Sequence, residues 1–145
     1  MKKVLLIVLV TLAASWTSVS LFASGGQESN AMPGVPVVEL IYLNHGPVRS
    51  VVTDIDNLLE GYGEKIYIAR YTFGSSEGKS FAEARKLDGH IPMAIFIDGS
   101  MKYKVEDRSV EFISFPQGQG TGFVDDGAWS IDDLKLVIDG ILEQS

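Results

Sequence analysis

Cysteine is absent from the 145-residue chain. Disulfide exchange needs one thiolate to attack sulfur and a second thiol to resolve the mixed disulfide, so that chemistry is excluded. No disulfide can staple the fold, and noncovalent packing must hold it. Histidine is nearly as scarce, with His45 and His90 the only two. Ser50, Ser75, Ser76 and Ser80 stand in loop or cap contexts without a nucleophile-elbow pattern, and two histidines do not make a triad. Gly74 to Gly78 lacks the lysine-serine/threonine ending of a phosphate loop, although Lys79-Ser80 follows it. Basic residues are the minority charge, 12 against 19 acidic, and they are scattered among carboxylates. A nucleic-acid backbone needs clustered Lys or Arg to displace its counterions, so nucleic acid is not an expected partner. The same acidity argues against docking on an anionic membrane. No internal repeat and no heptad run are present.

The N-terminus is different in kind. Lys2 and Lys3 precede an uncharged stretch from Val4 to Gly26, whose strongly apolar part, Val4 to Ala14, suits the h-region of a signal peptide. Residues 1–23 are therefore read as a signal peptide cut between Ala23 and Ser24, and the chain is expected to be exported, in the periplasm or beyond it. Val4 to Phe22 is nearly long enough to span a bilayer, but Thr, Ser and small residues dilute its second half, so no stable span is expected after cleavage. Ser24 stands where a lipoprotein would carry its acceptor cysteine. Without the signal, ten basic and 19 acidic side chains remain, a net charge of −9. Residues 24–35 are rich in Gly, Ser, Gln, Asn and Pro and read as a flexible leader. Residues 36–145 are enough for one ordinary core and too few for two.

Within that domain, Val37 to Leu43 is a β-branched and aromatic run broken only by Glu39, and it predicts a central strand. From Pro47, Val48, Val51-Val52, Ile55 and Leu58-Leu59 recur at helical spacing as far as Gly61-Tyr62-Gly63. Lys65 to Phe73 predicts a second strand, and Ser80 to Leu87 a short helix carrying Phe81, Ala84 and Leu87. Pro92 opens the apolar strand Met93 to Ile97, which Asp98-Gly99 ends in a tight turn. Met101 to Val105 and Val110 to Phe115 are expected to form an antiparallel hairpin. Pro116 to Gly127 reads as a glycine-rich loop. Ser130 with Asp133 makes a capping box for a last helix through Leu142, whose buried side is Ile131, Leu134, Val137-Ile138 and Ile141. A parallel βαβ start followed by a hairpin and a terminal helix predicts an α/β fold, a mixed sheet covered on both faces.

Three local features stand together: His45-Gly46-Pro47-Val48-Arg49 at the start of a helix, Glu39 six residues before it, and Gly89-His90-Ile91-Pro92 before an apolar strand. With them, this chain resembles the thioredoxin-like family over Pro36 to Glu143, apart from an insert between Val105 and Ala128. His45-Gly46-Pro47-Val48-Arg49 matches the family's Cys-Gly-Pro-Cys-Lys/Arg at the start of a helix in every position but the cysteines. Glu39, six residues before His45, stands where the family keeps a buried aspartate that assists proton transfer. Gly89-His90-Ile91-Pro92 before an apolar strand resembles the family's cis-proline loop. The resemblance implies a three-layer α/β/α sandwich with a central mixed sheet, a cis peptide before Pro92, and a backbone at Ile91 free to pair with an extended peptide.

Several roles stay open for these residues. His45 at a helix N-terminus is either an exposed residue that replaced a thiol or a ligand or metal contact with His90 and Glu39, a set that lacks any metal-motif spacing. Glu39 is either a solvent-facing residue of an alternating strand or an inherited buried carboxylate with no thiol to serve. Trp129, between Asp125-Asp126 and Asp132-Asp133, is either a partner-binding anchor or a core residue. No acidic stretch has the oxygen-ligand order of an EF-hand. No catalytic residue and no cofactor are expected. The leading expectation is an exported, redox-inactive, thioredoxin-like protein that associates with an envelope protein or an extended peptide. Its alternatives are a small-ligand or metal-binding protein using the His45 and His90 side, and a structural domain with no preserved pocket.

Overall fold

A computed structural model describes residues 33–144, except Thr121, Phe123 and Val124. The signal-peptide reading and most of the leader lie outside the described residues. The elements run β1 (Val37–Tyr42), α1 (Gly46–Glu60), a single 3-10 turn (Gly63–Lys65), β2 (Tyr67–Thr72), α2 (Ser76–Ala84), β3 (Met93–Ile97), β4 (Lys102–Val105), β5 (Arg108–Glu111) and α3 (Ile131–Leu142). Strand β1 is central, parallel to β2 and antiparallel to β3. Beyond β5 the chain lies along β3, where the Ile95 N–H donates to Phe112 O at 2.9 Å and the Ser114 N–H to Met93 O at 3.0 Å. β4 and β5 form an antiparallel hairpin as expected, but its second strand is Arg108–Glu111 and not Val110 to Phe115.

Strand alternation sorts the side chains into two cores. Val38, Leu40, Met93, Ile95 and Ile97 face α1 and α3, joining Val48, Val51, Ile55, Leu59, Leu134 and Ile138. Ile41, Ala94 and Phe96 face the opposite side and pack with Ala82 and Phe81 of α2. The protein is thus a mixed α/β fold with helices on both faces of a mixed three-stranded sheet. The fully buried core of β3, with all five residues enclosed, explains why its sequence shows no polar alternation.

Helix α1 carries Pro47 in its first turn, where a missing N–H costs no intrahelical bond. It ends at Gly61, and Tyr62 just beyond donates its hydroxyl to Asp139 Oδ1 of α3 at 2.8 Å. The predicted capping box of α3 is present, with the Ser130 hydroxyl accepting from the Asp133 N–H and the Asp133 carboxylate accepting from the Ser130 N–H. Asp133 is almost fully buried, and Arg108 from β5 neutralises it. Trp129 is wholly enclosed, edge-on to Phe112 with ring centroids 5.4 Å apart, and its indole N–H donates to Ile113 O at 3.0 Å. Of the two roles left open for Trp129 the core residue is the one found and the interface anchor is not, because the Ile113 carbonyl satisfies its one polar atom inside the core.

Three further expectations are corrected. Helix α2 runs over Ser76–Ala84, not Ser80 to Leu87. Ser75 caps it by accepting from the Gly78 N–H at 2.9 Å, and Lys86 at φ 55 ends it, with the Leu87 N–H returning to Ala82 O. The 3-10 turn also takes Lys65, so β2 starts two positions later, at Tyr67. The peptide before Pro92 is trans, since no described peptide bond is cis. The turn is instead held by Leu43, whose N–H donates to Pro92 O at 2.8 Å.

Gly78 supports a prediction against helix propensity. Alanine in a helix is ordinarily favoured over glycine by about 1 kcal/mol. A Cβ at Gly78, however, falls 1.8 Å from the Thr72 carbonyl oxygen. Gly78→Ala is expected to destabilise the fold by about 1–3 kcal/mol in urea denaturation, as overpacked sites do; a stabilised variant would show that α2 does not sit against β2 in this way.

Alkaline pH tests the tyrosines. Burial raises the pKa of Tyr62, Tyr71 and Tyr103, with Asp139 adding to the effect at Tyr62, Glu39 at Tyr71 and Asp98 at Tyr103. Each phenol contributes stability that is complete below the ordinary tyrosine pKa of about 10 and is lost as pH climbs through the folded value. Far-UV circular dichroism on raising the pH should show unfolding coincide with tyrosinate formation, and free titration of Tyr62, Tyr71 and Tyr103 at the ordinary pKa with the fold intact would contradict this.

Candidate functional site

The resemblance-bearing residues meet at one end of the sheet. His45 is the N-cap of α1, in extended backbone at φ −140 and ψ 170, and its side chain makes no capping bond. Its backbone N–H donates to Leu43 O at 3.0 Å and its carbonyl accepts from the Arg49 N–H at 3.1 Å. His45, Gly46 and Pro47 are exposed, whereas Val48 is fully enclosed in the core between α1 and the sheet. His45 is therefore an open imidazole and Val48 a packing residue. Arg49 turns back toward the start of the helix, its Nε donating to Asn44 Oδ1 at 2.9 Å.

The Leu43–Pro92 hydrogen bond lays the second segment alongside the first. His90 is exposed, Pro92 is buried, and Ile91 is half-buried against the α2-side cluster that contains Ile41 and Phe96. Among the described residues, neither the N–H nor the C=O of Ile91 has a hydrogen-bond partner.

Glu39 is placed differently from its solvent-facing alternative, because β1 is the central strand. Its side chain is 14% exposed and forms an ion pair with Arg85, which follows α2. The Arg85 guanidinium stands over Phe81 and Phe96, 4.9 and 4.7 Å from their ring centroids, and Nη1 donates to Gly99 O at 3.1 Å. Tyr71 closes the group by stacking on Phe81 at 4.3 Å. Burial first, then the Glu39 charge, pushes the Tyr71 phenol up, with Arg85 opposing. Arg85 escaped the sequence reading because it lies 46 residues from Glu39. The signal for it was indirect: a carboxylate in an apolar central strand demands a cation or donors nearby.

With Glu39 engaged by Arg85, the set of His45, His90 and Glu39 does not form. Among the described residues no group of three His, Asp or Glu side chains could hold a metal ion. Two shallow grooves, of ≈ 440 and ≈ 470 Å³, lie at Phe73, Ala82 and Leu87 and at Pro36, Tyr62 and Leu142, and neither is lined by His45, His90 or Ile91. No family model, curated protein or solved structure matches this chain.

The Arg85 contacts make a quantitative expectation. Removing one partner of a buried pair strands the other charge at a cost of about 3–5 kcal/mol, and partial exposure here lowers that to about 2 kcal/mol. Arg85→Ala should destabilise by about this amount, and Arg85→Lys should restore only part of it because an ammonium cannot reproduce the planar stacking and the fork of donors. Urea titrations of both variants with Glu39→Gln as the double-mutant partner check this; additive effects would mean that the pair is not coupled.

Proposed function

We propose that this chain is an exported protein of the thioredoxin-like fold class, without thiol chemistry, that associates with a protein or an extended peptide through the Ile91–Pro92 turn and the start of α1. Support for the fold reading is the element order with β1 between a parallel β2 and an antiparallel β3, and helices α1 and α3 opposite α2. The observation that carries the functional reading is the unpaired backbone of Ile91, presented beside the α1 N-terminus by the Leu43–Pro92 hydrogen bond. An extended chain adds to such a site by main-chain pairing, while an apolar side chain at the contact supplies affinity. The trans peptide before Pro92 departs from the family pattern but leaves that backbone accessible. The alternative, a ligand or metal held by His45 and His90, draws no support from a Glu39 occupied by Arg85.

A permanently unfolded model protein, reduced and carboxymethylated, serves as the probe in fluorescence anisotropy. The wild-type chain should bind it, and Ile91→Asp should weaken binding by about tenfold, equivalent to about 1.4 kcal/mol. Emission from enclosed Trp129 reports whether the fold is kept. Unchanged affinity in a folded Ile91→Asp variant would sink the proposal.

A further inference from the structure

We propose that the open edge of β2 pairs antiparallel with β2 of a second copy of this chain, with Ala69 on the twofold axis. The inference is independent of the peptide-binding reading, since it uses another side of the sheet.

The backbone phase of β2 is fixed by its hydrogen bonds to β1. The Tyr67 N–H donates to Pro36 O at 2.8 Å and the Phe73 N–H to Tyr42 O at 3.1 Å. In a parallel ladder alternate residues point their N–H and C=O to the same neighbour. Tyr67, Ala69 and Tyr71 therefore turn theirs to β1, and Ile68, Arg70 and Thr72 turn theirs outward, where, among the described residues, the sheet has no further strand. The Thr72 carbonyl is already taken by the Ser75 N–H and hydroxyl, beneath the close approach of Gly78. Ile68 and Arg70 are left as the two residues of β2 that offer both a donor and an acceptor.

That pair selects one register. Setting Ile68 against the second copy's Arg70, and Arg70 against its Ile68, uses all four groups of each strand and places Ala69 opposite Ala69. A register centred on Arg70 would put two guanidinium groups face to face, which directly opposed like charges disfavour. In the selected register Arg70 meets an apolar neighbour and keeps its own ion pair with Asp56 at 2.9 Å. Tyr67 then stands opposite the second copy's Tyr71 on the α2 side, an aromatic cross-strand pair on each side of the small Ala69. The edge is self-complementary, as a closed twofold contact requires.

Protection against edge pairing is unevenly distributed in this molecule. β4, which pairs with β5 alone, is four residues long and exposes Lys102 and Lys104. Short length and lysines of that kind discourage an added strand. β2 is six residues of sequence YIARYT, with no proline, no lysine and only one charge, already neutralised by α1.

Absence of cysteine makes the register directly readable, because Ala69→Cys introduces the sole thiol. Residues opposed in a non-hydrogen-bonded antiparallel pair have Cα atoms about 4.5 Å apart, within disulfide range. Under mild oxidation Ala69→Cys should cross-link into a dimer at least about tenfold faster than Lys104→Cys, whose thiol has no symmetry mate nearby. Sedimentation equilibrium of the purified wild-type protein at ~100 μM should give twice the chain mass, and Ile68→Pro should give the monomer mass, since that proline removes an outward N–H and leaves the β1 ladder intact. A wild-type monomer, equal cross-linking at the two positions, or a dimer that survives Ile68→Pro would each overturn the proposal. Should Ile68→Pro fail to fold, the cross-linking comparison still decides.

Discussion

Every other element takes its place from the two-sided pairing of β1. Its even residues bond to β2 and its odd residues to β3, as the Tyr42 carbonyl and the Leu43 N–H show at the C-terminal end of the strand. A parallel neighbour can be reached only through a crossover, so α1 must return across one face of the sheet. An antiparallel neighbour must begin where β1 ends, so the chain entering β3 comes back beside the start of α1. The meeting of the His45 and Pro92 segments is thus a consequence of backbone topology. It needs no thiol, no metal and no side-chain contact between the two segments.

The same two-sided pairing creates the main electrostatic problem of the fold. A strand enclosed on both faces exposes Glu39 to a desolvation penalty that a carboxylate of an edge strand would escape. Arg85 resolves it by bringing a planar cation that also lies against Phe81 and Phe96, so one side chain neutralises the charge and covers apolar surface. Arg85 sits immediately after α2, and its Nη1 reaches Gly99 in the turn after β3. The ion pair consequently ties together the central strand, the α2 layer and the β3–β4 turn. Arg108 and Asp133 repeat the arrangement on the other face, joining β5 to the cap of α3. In a chain without disulfides, these two cross-layer pairs tie together elements that lie far apart in sequence.

Local rules made much of this visible in advance. Apolar runs located β1 and β3, the 3–4 spacing from Val48 located α1, and the Ser130–Asp133 pattern located the α3 cap. Where the local signal is split, the sequence alone misplaces the element. Phe81, Ala84 and Leu87 suggest a helix beginning at Ser80, yet the backbone is decided by Ser75 as a cap and by the left-handed turn at Lys86. The burial of Trp129 depends on Ile113 and Phe112 from a segment some sixteen residues earlier, and Glu39 finds Arg85 only after the chain has crossed the sheet. The candidate site was legible as a set of residues from a family pattern. Its actual geometry, with Val48 in the core and Glu39 turned to Arg85, required the tertiary contacts.

The two proposed surfaces do not compete. The Ile91 turn belongs to the end of the sheet next to β3, whereas the outward groups of Ile68 and Arg70 belong to the far side of β2. β1 and β2 separate them by two strand spacings, about 10 Å. A twofold contact at the β2 edge would continue the sheet sideways into a second copy and leave the two ends, each with its own His45 and Ile91, on one extended assembly. Paired ends on a rigid scaffold raise the effective concentration of the second binding event for any chain long enough to reach both. Weak main-chain pairing at each single end would then be sufficient for a stable hold on an extended partner, which is the regime that a site with one apolar contact would otherwise fail to reach.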